Sequence, residues 1–103
     1  MFIFKDYFQK RKNYKKIKNY INKCPKEYFG YDETHKYLKK DGYNGIKEFF
    51  FTEEYSFWHS ENYDNQSWGY MVLGHKGQIN LSYSQTESLF ELAKEKFNEG
   101  VNL

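Results

Sequence analysis

Two aromatic runs only three residues apart, Phe49-Phe50-Phe51 and Tyr55-Ser56-Phe57-Trp58, limit the possible folds of this chain more than any other feature. Aromatic side chains suit a pleated surface, and Thr52-Glu53-Glu54 between the runs leaves room only for a tight reversal. An antiparallel pair of strands is therefore expected at the centre of the sequence. Hydrophobic residues make up only 39% of the 103, but aromatic residues are 22%, so rings have to supply most of the core. A ring buries far more area than Ala or Val, which makes one compact domain feasible at this length.

On the N-terminal side, residues 5–23 contain neither Gly nor Pro, and at 100° per residue Tyr7, Tyr14, Ile17, Ile21 and Cys24 fall in a stripe about 100° wide. Lys5, Arg11, Lys12, Lys15, Lys16, Lys18 and Lys23 fill the opposite arc, Lys10 intrudes on the apolar side, Phe4 and Phe8 fall outside the stripe, and Pro25 ends the segment. The pattern predicts a basic amphipathic helix. A second, short helix is expected over Asp32 to Lys40, with Asp32 as its N-cap and the turn-rich Asp41-Gly42-Tyr43-Asn44-Gly45 behind it.

On the C-terminal side, Ser60 to Ser67 reads as a polar loop. Trp68–Leu73 and Gln78–Tyr83 then read as a hairpin about the turn Gly74-His75-Lys76-Gly77, because Ile79, Leu81 and Tyr83 alternate with Asn80 and Ser82. Ser84-Gln85-Thr86-Glu87 matches a capping box, and Leu89, Phe90, Ala93 and Phe97 recur at helical spacing up to Gly100. Leu81, Leu89, Ala93 and Phe97 are expected to be buried together. The resulting expectation is a single α+β domain over 1–103, in the order α-α-β-β-β-β-α. It has a small antiparallel sheet of about four strands, with the N-terminal basic helix and a C-terminal helix packed on it.

Charge is segregated along the chain. Residues 1–26 carry nine basic side chains against Asp6 alone, whereas residues 27–103 carry seven lysines against thirteen acids. Such a chain can hold an anionic partner with one end while the other end repels nonspecific anions, or it can attract itself. The single cysteine, Cys24, allows no intrachain disulfide, and Met1-Phe2-Ile3-Phe4 meets Lys5-Asp6 long before a signal peptide's apolar region would be complete. These features favour a cytoplasmic setting without membrane insertion. Heavy use of Lys, Asn, Tyr, Phe and Ile is what AT-rich codons encode, which suits a low-GC bacterium, its phage or a mobile element.

No catalytic or metal-binding motif is visible. His59-Ser60-Glu61 has the H-x-E spacing of zinc deaminases, but no cysteine follows residue 24 to complete a metal site. His75, in a turn, and His35, among lysines, read as surface histidines, and Cys24 reads as a small apolar residue at the end of the first stripe. Trp68-Gly69-Tyr70-Met71-Val72 is reminiscent of a base-stacking strand but lacks the basic residue expected before its glycine.

With no cofactor or metal expected, the leading functional expectation is a non-enzymatic, protein-binding module. It would be of inhibitor or antagonist type and would act by occluding a macromolecular partner such as a nucleic-acid enzyme or a toxin. The candidate contacts are Arg11, Lys12, Lys15, Lys16 and Lys23 on the basic arc, and Glu61, Tyr63, Asp64 and Trp68 in the acidic aromatic loop. Glu53 and Glu54 would join Glu61 and Asp64 in imitating phosphates. One alternative is direct nucleic-acid binding through the basic arc, weakened steeply by salt. A further alternative is an enzyme whose site gathers residues distant in sequence.

Overall fold

The computed structural model describes residues 2–38, 43–62 and 67–99, and among these the side chains of residues 5–32, 45, 47–62 and 67–99. The chain begins with helix α1 (Phe2–Lys23), passes through a short 3-10 turn (Lys26–Tyr28), forms strands β1 (Gly30–Leu38), β2 (Tyr43–Phe51), β3 (Tyr55–Asn62) and β4 (Ser67–Gly74), and closes with helix α2 (Tyr83–Phe97). The strands make one antiparallel sheet in the order β1-β2-β3-β4. The α+β class, the four-stranded sheet and the C-terminal helix lying on it all agree with the sequence reading.

The central pair forms as the aromatic runs predict, with Phe50 opposite Phe57 and Phe49 opposite Trp58. Thr52 closes the reversal: its N–H donates to the Tyr55 carbonyl at 2.8 Å, and its Oγ1 accepts from the Tyr55 N–H at 3.1 Å. Phe50, Phe57 and Val72 then present one face of the sheet to α2, whose Leu89, Phe90 and Ala93 are buried against them. Ile17 and Ile21 of α1, Cys24 just beyond its end, Phe29 and Tyr55 complete this cluster, and Tyr20 stands edge-on to Tyr55 at 5.0 Å.

Four sequence expectations change. Residues 32–38 are strand rather than helix, paired with β2 in continuous register from Gly30↔Phe51 to Leu38↔Tyr43. A nine-residue helix is marginal in water, whereas the same residues gain a full ladder on the open edge of β2. Tyr43, Asn44 and Gly45 belong to β2, and 39–42 lie outside the described residues.

The expected second hairpin stops at a single bridge, Gly74↔Gly77, and Gln78 to Ser82 is not a strand. Here α1 takes over from β4: the Asn80 carbonyl accepts from Asn13 at 3.0 Å, and the Asn80 amide donates to Asp6 at 2.6 Å. Leu81 is accordingly only part-buried, as is Phe97 at the end of α2, beside the fully buried Leu89 and Ala93.

The capping box sits two residues early. The Ser82 hydroxyl accepts from the Gln85 N–H at 3.2 Å, and the Gln85 side chain accepts from the Ser82 N–H at 2.9 Å. Ser82-Tyr83-Ser84-Gln85 matches the same motif, and the earlier start places Tyr83 edge-on to Tyr70 at 6.1 Å. The helix ends at Phe97 with Asn98 as cap, and Gly100 lies outside the described residues. Ser82→Ala should cost about 1 kcal/mol and Ser84→Ala less than about 0.5 kcal/mol in urea unfolding, and the reverse ranking would contradict this cap.

Finally, Tyr7 is 56% exposed. At 22 residues α1 outruns the 15-residue α2 beside it, so its first turns overhang the core and the working stripe begins at Tyr14.

Candidate partner-docking face

Strand alternation sends Phe49 and Phe51, Trp58, Met71 and Leu73 to the side of the sheet opposite Phe50, Phe57 and Val72. Both helices lie on the other side, so among the described residues no element covers this one. Phe51 is 37%, Leu73 42% and Met71 50% exposed. Phe49 stacks flat on Trp58, with centroids 4.2 Å apart and planes 13° apart, and meets Phe51 at 5.4 Å.

Beside this stack is an apolar hollow of about 390 Å³, lined by Trp58, Met71 and Leu73, with Lys47, Ser60 and Gly69. Gly69 is one of its lining residues, and a Cβ placed there would meet nothing within 4 Å. The Trp58 indole Nε1 has no accessible surface and no hydrogen-bond partner among the described residues.

The helix-side end of β3 and β4 is polar and aromatic. His59 lies flat on Tyr70 at 4.7 Å, with Nδ1 3.4 Å from Glu48 Oε1 and Nε2 3.6 Å from Glu61 Oε1. The H-x-E pair therefore does meet, since residues two apart share a strand face. No group of three or more His, Cys, Asp or Glu side chains able to hold a metal occurs among the described residues. Burial pushes the Tyr70 phenol above its ordinary range, and Glu87, Glu91 and Glu61 push it the same way.

His75 makes the one Ser–His contact described. Its Nδ1 lies 2.7 Å from the Glu53 carbonyl, which can only accept, so Nδ1 carries the proton and Nε2 receives the Ser56 hydroxyl at 2.8 Å. Its backbone N–H also donates to the Glu54 carbonyl at 3.0 Å. These three bonds clasp the 74–77 turn to the 52–55 turn and the start of β3, a role the sequence reading of a surface histidine missed. His35 lies in β1, and its side chain is outside those described.

The expected contact residues do not converge. Arg11, Lys12, Lys15, Lys16 and Lys23 are all exposed on α1, and none has a carboxylate within ion-pair distance among the described residues. Lys16 lines a hollow with Glu54, Tyr55 and Ile79 beside the 52–55 turn, and α1 as a whole packs on the side of the sheet opposite the open aromatic face. Trp68, 66% exposed, lies opposite Glu61 at the far end of β3 and β4 from the 52–55 turn. Glu54 and Glu61 are seven strand residues, roughly 23 Å, apart, so Glu53 and Glu54 form no single acidic patch with Glu61. Tyr63 and Asp64 lie outside the described residues. The expected loop is also shorter than Ser60–Ser67, because β3 runs to Asn62 and β4 starts at Ser67.

The sequence reading assigned Phe49, Phe51, Trp58, Met71 and Leu73, the residues of this open face, to strands without giving them a site. Their signal was present in Phe49-Phe50-Phe51, since three consecutive rings on a strand cannot all face one core. No family model matches the chain, and comparisons with curated proteins and with solved structures give no significant match. No helix among the described residues is long and apolar enough to cross a membrane.

Proposed function

We propose that this chain is a protein-binding module of inhibitor or antagonist type, a binder rather than a catalyst, which occludes a macromolecular partner such as a nucleic-acid enzyme or a toxin. The observation behind this reading is the uncovered aromatic sheet face with its hollow over Gly69. Contiguous exposed apolar surface on a small domain commonly marks an interaction site, and a rigid sheet holds its aromatic anchors in place before binding. On composition alone, the setting is a cytoplasm, that of a host cell if a phage or mobile element encodes the chain.

A second reading, nucleic-acid binding through α1, is favoured by the five exposed cations, none with a carboxylate within ion-pair distance among the described residues. One experiment separates the two. A photo-crosslinking side chain is placed at Phe51 in one variant and at Lys15 in another, and source-cell extract is irradiated with and without nuclease. A discrete, nuclease-insensitive protein adduct is expected from position 51 and none from position 15. An adduct confined to position 15 and lost with nuclease would replace the protein-partner reading with the nucleic-acid one.

A further inference from the structure

The two outer strands of the sheet differ. β1 carries Asp32, Glu33, His35 and Lys36, the kind of charged edge that discourages further pairing. β4, Ser67-Trp68-Gly69-Tyr70-Met71-Val72-Leu73-Gly74, has no charged residue and no proline over eight positions. No strand among the described residues pairs with its outer side beyond the single bridge at Gly74.

The outward-facing groups of β4 follow from the ladder. The Thr52 N–H bonds the Tyr55 carbonyl, so pairing alternates from there: Phe57 and His59 bond to β2, while Ser56, Trp58 and Ser60 bond to β4. Their partners Leu73, Met71 and Gly69 therefore face inward, leaving the N–H and C=O of Trp68, Tyr70 and Val72 directed outward. The Gly74 carbonyl fits this phase, since it accepts from Gly77 on the outer side.

The two flanks of that edge differ in chemistry. On the open side lie the hollow over Gly69 and the exposed Met71 and Leu73. On the helix side, Tyr70 packs against His59 at 4.7 Å and against Tyr83 and Phe90 of α2 at 6.1 and 5.5 Å, with Glu61 Oε1 3.6 Å from the same His59 ring and Glu87 and Glu91 on the turns of α2 that carry Phe90. Glu87 and Glu91 are exposed with no cation within ion-pair distance among the described residues.

We propose that the outer edge of β4 accepts an extended segment of the partner protein as a fifth strand, in which apolar side chains alternate with Lys or Arg. The apolar side chains lie over Gly69 and against Met71, and the basic ones face Glu61, Glu87 and Glu91. Backbone hydrogen bonds to Trp68 and Tyr70 add main-chain contact to what the apolar face supplies, toward the roughly 800 Å² per partner of a stable interface. The inference rests on the sheet's open side being the docking face, and it adds the form and the charge of the segment that docks there.

The test leaves the protein unaltered. An acetylated, amidated octapeptide of alternating Lys and Val is titrated and followed by amide hydrogen exchange, beside a Glu–Val version, a Lys-block–Val-block version and a Lys–Val version N-methylated on alternate residues. The expected result is that only the first binds and that it slows exchange at the Trp68 and Tyr70 amides at least tenfold. Equal binding by the N-methylated peptide overturns strand addition, and equal binding by the Glu–Val peptide overturns the charge assignment. No binding by any peptide overturns the proposal, while the crosslink at position 51 separately decides whether the open face docks a protein at all.

Discussion

Phe57→Ala is expected to lower the unfolding free energy by about 3–5 kcal/mol, a large fraction of the total for a domain of this size. Phe57 has no exposed surface and sits on an inner strand, opposite Phe50 on β2 and Val72 on β4. It therefore joins three strands and the underside of α2 in one cluster. A sheet flanked by backbone ladders has little freedom to collapse around the missing ring, so most of the cavity should persist. A thermal melt followed by circular dichroism should fall by about 12 °C or more, at about 4–8 °C per kcal/mol for a domain near 100 residues. In the same series Phe97→Ala should cost less, because the Phe97 ring is only part-buried at the end of α2. A Phe57→Ala protein melting within a few degrees of the parent would mean that the core is not organised around this residue.

Gly69→Val should separate binding from stability. A Cβ at this position meets nothing within 4 Å, so the added side chain starts into open space on the hollow's side of the strand. It also replaces a residue that weakens strands with one that favours them, a gain of about 0.5–1 kcal/mol. The melting temperature should therefore hold or rise by a few degrees, while affinity for the protein captured through position 51 falls at least tenfold, about 1.4 kcal/mol. Opposite signs in the two measurements distinguish a blocked site from a damaged fold. Unchanged affinity with the hollow filled would show that the partner does not anchor there.

The alignment of Phe49-Phe50-Phe51 with Tyr55–Trp58, the buried stripe from Tyr14 to Cys24, and the helix carrying Leu89, Phe90 and Ala93 were all legible in the sequence. Each rests on a local period, 2 for a strand and 3.6 for a helix, that neighbouring residues enforce on one another. The errors fell where local signals were weak or duplicated. Asp32 to Leu38 fits either a short helix or a strand, and only the open edge of β2 decides between them. Ser82 and Ser84 both begin a capping motif, and the ring of Tyr70 selects the earlier one by receiving Tyr83. Ile79 and Leu81 alternate like a strand, yet the Asn13 and Asp6 side chains draw Asn80 toward α1.

The candidate site divides in the same way. The sequence by itself determined that rings build the core, that residues 46–73 carry more of them than one face of a small sheet can use, and that the first helix has a basic arc. Only the tertiary structure decided where the surplus goes. With α1 and α2 on the same face, Phe50, Phe57 and Val72 turn inward and Phe49, Phe51, Trp58, Met71 and Leu73 are left outside. Which face a helix covers depends on contacts between residues far apart in the chain, such as Tyr14 with Ser88 at 2.9 Å and Tyr20 with Tyr55. Periodicity shows that a strand has two faces, but only those long-range contacts determine which of the two is left open.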